Sequence, residues 1–520
     1  MTMPYSFEPL TDFTRPENAA AFRDALTLVK GEIGRTYPLV IGSERILLKD
    51  VFPSINPARP DEVLGYFPNA TADFADRAID AAEEAFKTWQ YVPADERARY
   101  LFRVAAEMRR RKHEFSAVMV LEVGKAWDEA DADTAEAIDF LEYYARQMLR
   151  IEDSSDLLAP YPSELNQFRY IPLGVGAMIP PWNFANAILA GMTGAAIVAG
   201  NTVILKPAEQ SPWIGYKVAE LFWWAGLPAG VLNFLTCADG AVVGGRLVEH
   251  PRTRFISFTG SRPVGVKIYE IASKVQPGQK WLKRSILEMG GKDAVVVDET
   301  ADLDSAAQGI VAGAFGFQGQ KCSAGSRAII VNSVYDEISE KIVALTKKLA
   351  VGAPDASEKV NLGPVVDQES FDRIQSYIQI GAQEAKLLTG GTVLESDENG
   401  YFIAPTVFGD VPEDARIAQE EIFGPVLSMI RAQNFDDALR IANNTEYGLT
   451  GAVYSQKRER LEQARREYHV GNLYLNRKCT GAIVGIHPFG GFNMSGTDSK
   501  AGGPDYLLLF TQAKSIAERL

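Results

Sequence analysis

The first 150 residues repeat apolar positions with the period of an α-helix. The stretch TADFADRAIDAAEEAFKTW follows a potential N-cap at Thr71 and places Ala78, Ala82 and Phe86 on one face. The stretches ERARYLFRVAAEMRRRKHEF and DADTAEAIDFLEYYARQMLR continue the same period. The pattern therefore predicts a mainly helical first part of the chain, with three long helices between residues 71 and 150.

From about residue 170 the pattern changes to short β-rich runs separated by helical segments. The runs are GVGAMIP, NTVILKP, VLNFLT, RFISFTG and SILEMGG. A second series begins with DAVVVD near residue 293 and continues to NLYLN at 472–476. Strands that alternate with helices form βαβ units around a mostly parallel sheet. The chain is therefore predicted to be an α/β protein with two such domains in series.

Two further segments fit neither series. NQFRYIPL at 166–173 has the alternation of a strand, and the apolar DYLLLFTQAKSI lies at 505–516. An apolar strand near the surface invites aggregation unless it pairs with another strand. Pairing within the chain and pairing between subunits are both consistent with the sequence.

Composition limits the classes of function. The 520 residues carry a formal net charge of −14, which disfavours nucleic acid and anionic membranes as partners. Three cysteines cannot build a disulfide framework, so we expect a reducing, cytoplasmic location. No C-x-x-C occurs and the four histidines are far apart, which predicts no metal site.

The sequence suggests neither a secretory signal nor a membrane-spanning helix. The first residues, MTMPYSFEPLTDFTRPEN, lack a basic region followed by an apolar one, so no secretory signal is expected. The apolar stretch AILAGMTGAAIVAG is shorter than the roughly 20 residues of a membrane-spanning helix. It is predicted to be a buried helix.

Two stretches could hold phosphate or ribose. RFISFTGSRPVG leads from a strand through Gly260, Ser261 and Gly265 into a helix, although any tight βα turn can use glycine. NTVILKPAEQSP places Lys206 and Glu209 just after a strand, where ligands of open α/β sheets gather. A carboxylate there suits a free ribose hydroxyl and repels a 2′-phosphate, and the alternative is a solvated surface pair.

Three residues suggest covalent chemistry. Cys322 lies in the Gly- and Ser-rich turn GQKCSAGSR, where Lys321 and Arg327 are nearby candidate cations to favour a thiolate. Glu288 ends the apolar run ILEMGG and is a candidate general base. Asn183 follows a strand in MIPPWNF and is a candidate donor to an oxyanion. Alone, a glutamate is more often salt-bridged and an asparagine more often a turn residue.

Together these stretches resemble the NAD(P)-dependent aldehyde dehydrogenase superfamily. The matching motifs occur in the family's order over more than 300 residues: PWNF, KPAE, FTGSRPVG, LEMGGK, GQKCSAGSR, EEIFGPV and PFGGFNMSG. Within the superfamily the chain is most similar to the branch that oxidises glutamate γ-semialdehyde formed from 1-pyrroline-5-carboxylate. That narrower match is carried by AEAIDFLEYYAR, QKCSAGSR, NRKCTGAIVG and SGTDSKAGGPDYLLLF.

The resemblance implies roles for the matching positions. Cys322 would attack the aldehyde, Asn183 would stabilise the oxyanion, and Glu288 would activate the water that hydrolyses the thioester. The implied cofactor is NAD, with NADP possible, and its binding residues would be Lys206, Glu209, Gly240, Thr259, Gly260, Ser261, Gly265, Glu421 and Phe423. The implied substrate-binding residues are Ser323, Gly481, Ala482, Phe184, Phe489, Lys321 and Glu136.

The resemblance also implies an architecture of two Rossmann-like parallel-sheet domains and a small β element for oligomerisation. The NAD-binding domain would comprise residues 1–154 and 174–289, and the catalytic domain residues 290–489. Residues 155–173 and 490–520 would supply oligomerisation strands, giving a dimer or a hexamer built from dimers. Two positions depart from many relatives, Ala185 after PWNF and Asp293 after the Gly-Gly-Lys.

The implied reaction is NAD-dependent oxidation of L-glutamate γ-semialdehyde to L-glutamate in proline or arginine catabolism. One alternative is another ω-semialdehyde or a simple aldehyde as substrate. A second is a CoA-acylating dehydrogenase, against which Glu288 argues because that reaction needs no activated water. A cysteine hydrolase or a non-catalytic nucleotide-binding protein is the remaining alternative. A hydrolase would want a histidine partner for Cys322.

Overall fold

The computed structural model describes residues 4–152, 154–394 and 399–520. The helices of these residues are α1 (Pro16–Lys30), α2 (Ala72–Trp89), α3 (Ala94–Arg110), α4 (Lys112–Glu122), α5 (Trp127–Ile151), α6 (Ala187–Val198), α7 (Pro212–Trp224), α8 (Gly240–Glu249), α9 (Arg262–Ser273), α10 (Leu303–Phe315), α11 (Tyr335–Thr346), α12 (Gln368–Glu384), α13 (Arg416–Gln419), α14 (Phe435–Asn443) and α15 (Arg458–Glu467).

The strands of the same residues are β1 (Arg35–Thr36), β2 (Leu39–Ile41), β3 (Glu44–Ile46), β4 (Val51–Asn56), β5 (Arg59–Pro68), β6 (Glu164–Pro172), β7 (Val175–Ile179), β8 (Thr202–Leu205), β9 (Leu232–Phe234), β10 (Phe255–Thr259), β11 (Arg284–Glu288), β12 (Ala294–Val297), β13 (Arg327–Val331), β14 (Lys386–Thr389), β15 (Thr406–Gly409), β16 (Val426–Ala432), β17 (Tyr447–Gly448), β18 (Thr450–Tyr454), β19 (Asn472–Leu475), β20 (Phe492–Asn493) and β21 (Thr511–Arg519).

Two seven-stranded sheets form the centre of the molecule. The first has the order β11-β10-β7-β8-β9-β2-β3, and its strands β7 to β11 are parallel. The second has the order β14-β15-β16-β13-β12-β18-β19, in which β14 is antiparallel and the others are parallel. The predicted α/β fold with two parallel sheets is confirmed. The domain boundaries stay a prediction. Residues 1–3 and 153, which belong to the predicted NAD-binding domain, lie outside the described residues.

Most of the predicted helices match observed ones. The helix expected over 187–200 is α6, whose residues are buried almost without exception because it is apolar on every side. The stretch ERARYLFRVAAEMRRRKHEF, however, is divided between α3 and α4 at Arg111, where the backbone leaves helical geometry. The prediction of a mainly helical first part was also incomplete, since β1 to β5 occupy much of residues 35–68.

The two unassigned segments pair with each other. Strand β6 lies antiparallel to β21, with nine residue pairs from Glu164–Arg519 to Pro172–Thr511. Within DYLLLFTQAKSI, the apolar half Tyr506–Phe510 is a 3₁₀ helix rather than a strand, and Tyr506, Leu507 and Phe510 are buried. The apolar residues therefore pack inside, and the strand that follows them is mostly exposed and polar.

The two sheets meet end to end. Strand β11 ends at Glu288 and β12 of the other sheet begins at Ala294, so the carboxyl edge of the first sheet adjoins the amino edge of the second. Carboxyl ends of parallel strands are where open α/β sheets bind ligands. The junction between the sheets is thus the place to look for chemistry.

Candidate active site

A pocket of about 790 Å³, part of it open to solvent, lies at this junction. It brings together nine of the residues singled out from the sequence: Cys322, Glu288, Ser323, Gly481, Ala482, Phe184, Phe489, Glu136 and Thr259. Asn183 and Lys321 lie beside the pocket but not among its lining residues.

The turn that carries Cys322 has an unusual backbone. Phe317 and Gln318 have positive φ angles of 49° and 56°, and Gly319 continues with 67°. Left-handed backbone is costly for residues other than glycine and persists only where the surroundings enforce it. Here the Gln318 amide nitrogen Nε2 donates to the carbonyl oxygens of Gly124 at 3.0 Å and Pro364 at 2.8 Å. Two distant loops therefore hold the turn that aims the thiol.

The surroundings of the thiol are acidic rather than basic. Burial raises the pKa of Cys322 well above its ordinary value, and the carboxylates of Asp293, Glu421 and Glu288 raise it further. The two candidate cations from the sequence are engaged elsewhere. Lys321 pairs with Glu129 at 2.7 Å, and Arg327 is buried against main-chain carbonyls. The expectation that they favour a thiolate was wrong, because both cations are bound to other partners and the pKa of Cys322 is raised.

Glu288 is held by residues 495–501, which come much later in the sequence and pack against the end of β11. We call them the returning segment. Met289 N donates to Ser495 O at 2.7 Å and Thr497 N to Leu287 O at 3.0 Å, so the segment extends the end of β11. The Ser499 hydroxyl donates to Glu288 Oε1. The other oxygen, Oε2, is buried without a hydrogen-bond partner among the described residues.

The electrostatics of Glu288 suit a general base. Burial raises its pKa to about 8, while the Ser499 hydrogen bond and the charge of Lys500 act in the opposite direction. A carboxyl group with a pKa near neutrality can take a proton from water and release it again. The position at the end of an apolar strand, which the sequence predicted, leaves Glu288 half-buried at the edge of the pocket.

Asn183 lies next to the nucleophile turn. Its side chain is 5 % exposed, and Nδ2 donates to the carbonyl oxygen of Gln320 at 3.0 Å. An amide NH₂ group has two hydrogens, so one remains for another acceptor. Trp182, the preceding residue, packs edge-on against Phe317 and Phe423 and supports the loop.

The far side of the pocket is a loop of small residues. Gly481 has a φ of 79° and, with Ala482, exposes main chain to the pocket. Ser323 lines the pocket next to Cys322, and its carbonyl oxygen accepts from Cys479 Sγ at 3.6 Å. Cys479 is fully buried, which identifies it as a packing residue, as Cys237 is in another cluster of the core.

A buried ion pair supports one wall. Lys125 and Asp133 are both fully buried and 2.6 Å apart, and the Lys125 ammonium lies 4.6 Å from the centre of the Phe184 ring. Such a cation over an aromatic face fixes the ring. Nearby Glu136 faces the pocket, and burial raises its pKa to about 8 with Asp133 contributing to the rise.

Sequence reasoning missed several lining residues. They are Phe140 and Tyr144 of α5, Ile188, Gly191 and Met192 of α6, and Ala501 and Tyr506 near the C-terminus. A signal was present in α5, because Glu136, Phe140 and Tyr144 are spaced by four and so share one helix face. The contributions of α6 and of residues 501–506 depend on tertiary packing and left no such pattern.

The predicted cofactor residues divide into two groups. Lys206 is 3 % exposed at the end of β8, with Nζ 3.9 Å from Glu209. A Cβ atom at Gly240, the first residue of α8, would lie 3.3 Å from Lys206 Nζ and 3.7 Å from Glu209 Oε2. A lysine, a carboxylate and a helix N-terminus therefore converge, which fits the adenosine half of a dinucleotide.

The glycines of FTGSRPVG have a second explanation. A Cβ atom at Gly265 would lie 2.4 Å from Met289 Sδ, and one at Gly260 would lie 2.5 Å from the Phe258 ring. Gly265 thus lets α9 pack closely against Met289, and Gly260 leaves room for the Phe258 ring, whether or not a phosphate is bound. Ser261 is the exposed N-cap residue of α9, and Thr259 Oγ1 contacts Met192 Sδ at 3.7 Å.

The second group lies at the sheet junction. Glu421 Oε1 accepts from Gly291 N at 3.0 Å, and a Cβ atom at Gly290 would lie 2.2 Å from Glu421 Oε2. Phe423 has a φ of 56° and packs on Trp182. Glu421 thus reaches the main chain that follows Glu288, close to the nucleophile.

The two departures from the motif are structural. Ala185 is fully buried in the core. Asp293 is 3 % exposed and accepts from Thr450 N at 2.7 Å, and burial raises its pKa well above the ordinary value.

Among the described residues, no group of three side chains could hold a metal ion. No helix of the described residues is long and apolar enough to cross a membrane.

Comparison with known proteins gives consistent matches over the whole chain. The model of the aldehyde dehydrogenase family matches residues 47–516. A protein of Geobacillus thermodenitrificans named 1-pyrroline-5-carboxylate dehydrogenase is 61% identical over 518 residues, covering 100% of both chains. The structure of 1-pyrroline-5-carboxylate dehydrogenase from Thermus with bound NAD is 54% identical and also covers 100% of both chains, with a TM-score of 0.97.

A larger protein contains a similar unit. Proline utilization A from Bdellovibrio bacteriovorus is 45% identical with a TM-score of 0.97, and the match covers 99% of this chain and 53% of that one.

Proposed function

Because the chain belongs to the aldehyde dehydrogenase family, we propose that it oxidises L-glutamate γ-semialdehyde, formed from 1-pyrroline-5-carboxylate, to L-glutamate with NAD. The observation that carries this proposal is the pocket itself. It places a cysteine thiol, a glutamate of raised pKa and a loop of exposed main chain around one space. The names of the full-length relatives, and the NAD in the Thermus structure, agree with that chemistry.

The first step assigns Cys322 as nucleophile. The thiol releases its proton to solvent and its sulfur attacks the aldehyde carbon. The carbonyl oxygen becomes an oxyanion that accepts from the second N–H of the Asn183 amide and from the Cys322 main-chain N–H. Asn183 is already held at the nucleophile turn by its bond to Gln320, so it needs no large rearrangement. NAD, when bound, would supply the hydride acceptor, and loss of hydride from the thiohemiacetal would leave a thioester on Cys322.

The second step assigns Glu288 as general base. The carboxylate takes a proton from water, and the hydroxide attacks the thioester carbon, so that L-glutamate leaves and the Cys322 thiol is restored. Ser499 keeps the carboxylate oriented between these events. Water as the acceptor distinguishes this reaction from acyl transfer to CoA.

The cofactor site is assigned to the two groups of residues described above. Lys206 and Glu209 would bind the adenosine ribose, while Gly240, Gly260, Ser261 and Gly265 would approach the pyrophosphate. Glu421 and Phe423 would contact the nicotinamide ribose. The carboxylate of Glu209, which is about two-fifths exposed, favours NAD over NADP.

The substrate's amino-acid end is assigned to the loop opposite the thiol. The main-chain N–H groups of Gly481 and Ala482, with Ser323, would bind its carboxylate, and Phe184 and Phe489 would flank its methylene chain. Lys321 and Glu136 would support this wall, Lys321 through its ion pair with Glu129.

We also propose a homodimer, or a hexamer built from dimers, formed through β6, whose side chains are mostly half-buried in the single chain, and β21, whose side chains are largely exposed. The place of action would be the cytoplasm, in proline or arginine catabolism. The three free cysteines in the described residues support the cytoplasm as the location. The likeness to part of proline utilization A supports a role in proline catabolism.

The test is an NADH-release assay over an aldehyde panel with NAD and NADP. Glutamate semialdehyde should have the highest kcat/KM and NAD should be preferred. A higher kcat/KM for succinate semialdehyde would refute the substrate assignment, and acyl-CoA formation on addition of CoA would refute hydrolysis.

A further inference from the structure

The N-terminal segment, residues 4–12, lies along α5 and is tied to it by two carboxylates. Asp139 Oδ1 accepts from Glu8 N at 2.7 Å. Asp131 accepts from Thr11 N at 2.8 Å and from the Thr11 hydroxyl at 2.7 Å, and it also pairs with Lys112 at 2.8 Å. The segment precedes residues 47–516, where the family model matches. The segment itself therefore lies outside the matched residues, although the two carboxylates that hold it lie within them.

The same segment reaches the loop that faces the thiol. The Tyr5 hydroxyl donates to the carbonyl oxygen of Val484 at 2.9 Å, and the Tyr5 ring packs edge-on against Tyr143 with centroids 5.2 Å apart. Gly485 turns beneath these rings with a φ of 75°, and a Cβ atom there would lie 2.9 Å from each of them. Burial and Asp139 raise the pKa of Tyr5, so its hydroxyl remains a donor.

A second set of bonds holds the loop from the other side. Gly485 N donates to Gly502 O at 2.8 Å, and Gly502 N donates to the Tyr144 hydroxyl at 2.8 Å. Tyr144 belongs to the face of α5 that lines the pocket. The loop is thus held between Tyr5 and Gly502, and both of these residues contact helix α5.

We propose that Tyr5 is a positioning residue for substrate specificity. Its hydrogen bond to Val484 fixes the loop of residues 479–485 so that the main-chain N–H groups of Gly481 and Ala482 meet the carboxylate of the substrate. This inference rests on the proposed function, because it assumes that the loop binds the amino-acid end. Tyr5 does not contact Cys322 or Glu288, which act on the aldehyde end. A change at Tyr5 should therefore weaken substrate binding and leave the chemical steps unchanged.

The test compares Tyr5→Phe with the matched control Tyr91→Phe, whose tyrosine is 78 % exposed. The Tyr5 change removes one hydroxyl and keeps the ring that packs on Gly485. A single lost hydrogen bond predicts a roughly three- to tenfold rise in KM for glutamate semialdehyde. The kcat, the KM for NAD and the KM for pentanal, which has the same chain length without the amino-acid group, should stay within about twofold of wild type.

L-Glutamate binding measured by calorimetry gives a readout independent of turnover. Its dissociation constant should rise by the same roughly three- to tenfold factor in Tyr5→Phe and stay unchanged in Tyr91→Phe. An equal rise of KM for pentanal, or an unchanged KM for glutamate semialdehyde, would overturn the role of Tyr5. A wild-type enzyme that prefers pentanal would instead overturn the proposed function.

Discussion

The raised pKa of Glu288 predicts a steep dependence of thioester hydrolysis on pH. Glu288 acts on water only as the carboxylate, and burial raises its pKa to about 8. The ionised fraction is then roughly a tenth at about pH 7, half at about pH 8 and nine-tenths at about pH 9. The hydrolysis rate should therefore increase by about tenfold over these two pH units.

The assay separates hydrolysis from the earlier step. NADH formed in the first turnover reports thioester formation, and the steady rate after that burst reports hydrolysis when hydrolysis is slower. Glu288→Gln should keep the burst, lower the steady rate by about 10²- to 10⁴-fold and remove the rise with pH near 8. Trapping the acylated Cys322 by acid quench and mass spectrometry identifies the accumulated species.

A second variant tests the cause of the pKa. The Ser499 hydrogen bond lowers the pKa of Glu288, so Ser499→Ala should move the midpoint of the profile to higher pH. Ser376→Ala is the matched control, because Ser376 is exposed on α12 and its hydroxyl donates to the carbonyl of Asp372 in its own helix. A profile that stays flat between about pH 7 and about pH 9 in wild type, or a midpoint that Ser499→Ala leaves unchanged, would refute the reasoning.

Two further changes test the nucleophile and its turn. Cys322→Ser should abolish NADH production but retain NAD binding, measured by calorimetry, and NADH formation at a comparable rate would contradict the mechanism. Gln318→Leu leaves the buried carbonyls of Gly124 and Pro364 without their donor, so urea unfolding should show a loss of about 2–5 kcal/mol and kcat should fall. Wild-type stability in that variant would mean that the turn is held by other contacts.

Some parts of the site could be located from local sequence. The apolar run ILEMGG predicted a strand ending at Glu288, and β11 ends there, two residues before the first of the two glycines. The run RAIIV after the cysteine turn is β13, fully buried. Such positions are predictable since strand length and the residues that break it are local properties.

Other parts depend on contacts between distant residues. The short strands β1 to β5 and the division at Arg111 left no clear period, and the partner of Lys321 proved to be Glu129, 192 residues away. The hydrogen bond from Ser499 to Glu288 spans 211 residues. No local pattern encodes which of many polar side chains meet after folding, so these features required the structure.

The returning segment has a consequence for synthesis of the chain. Leu287 and Thr497, which bond across the end of β11, are separated by 210 residues. Domains fold as they leave the ribosome, at roughly 5–20 residues per second. The thiol of Cys322 is therefore made well before the residues that hold Glu288, and a nascent chain carries its nucleophile for roughly ten seconds or more before its base can be fixed in place. The site acquires its hydrolytic half only after residues 495–501 have been made.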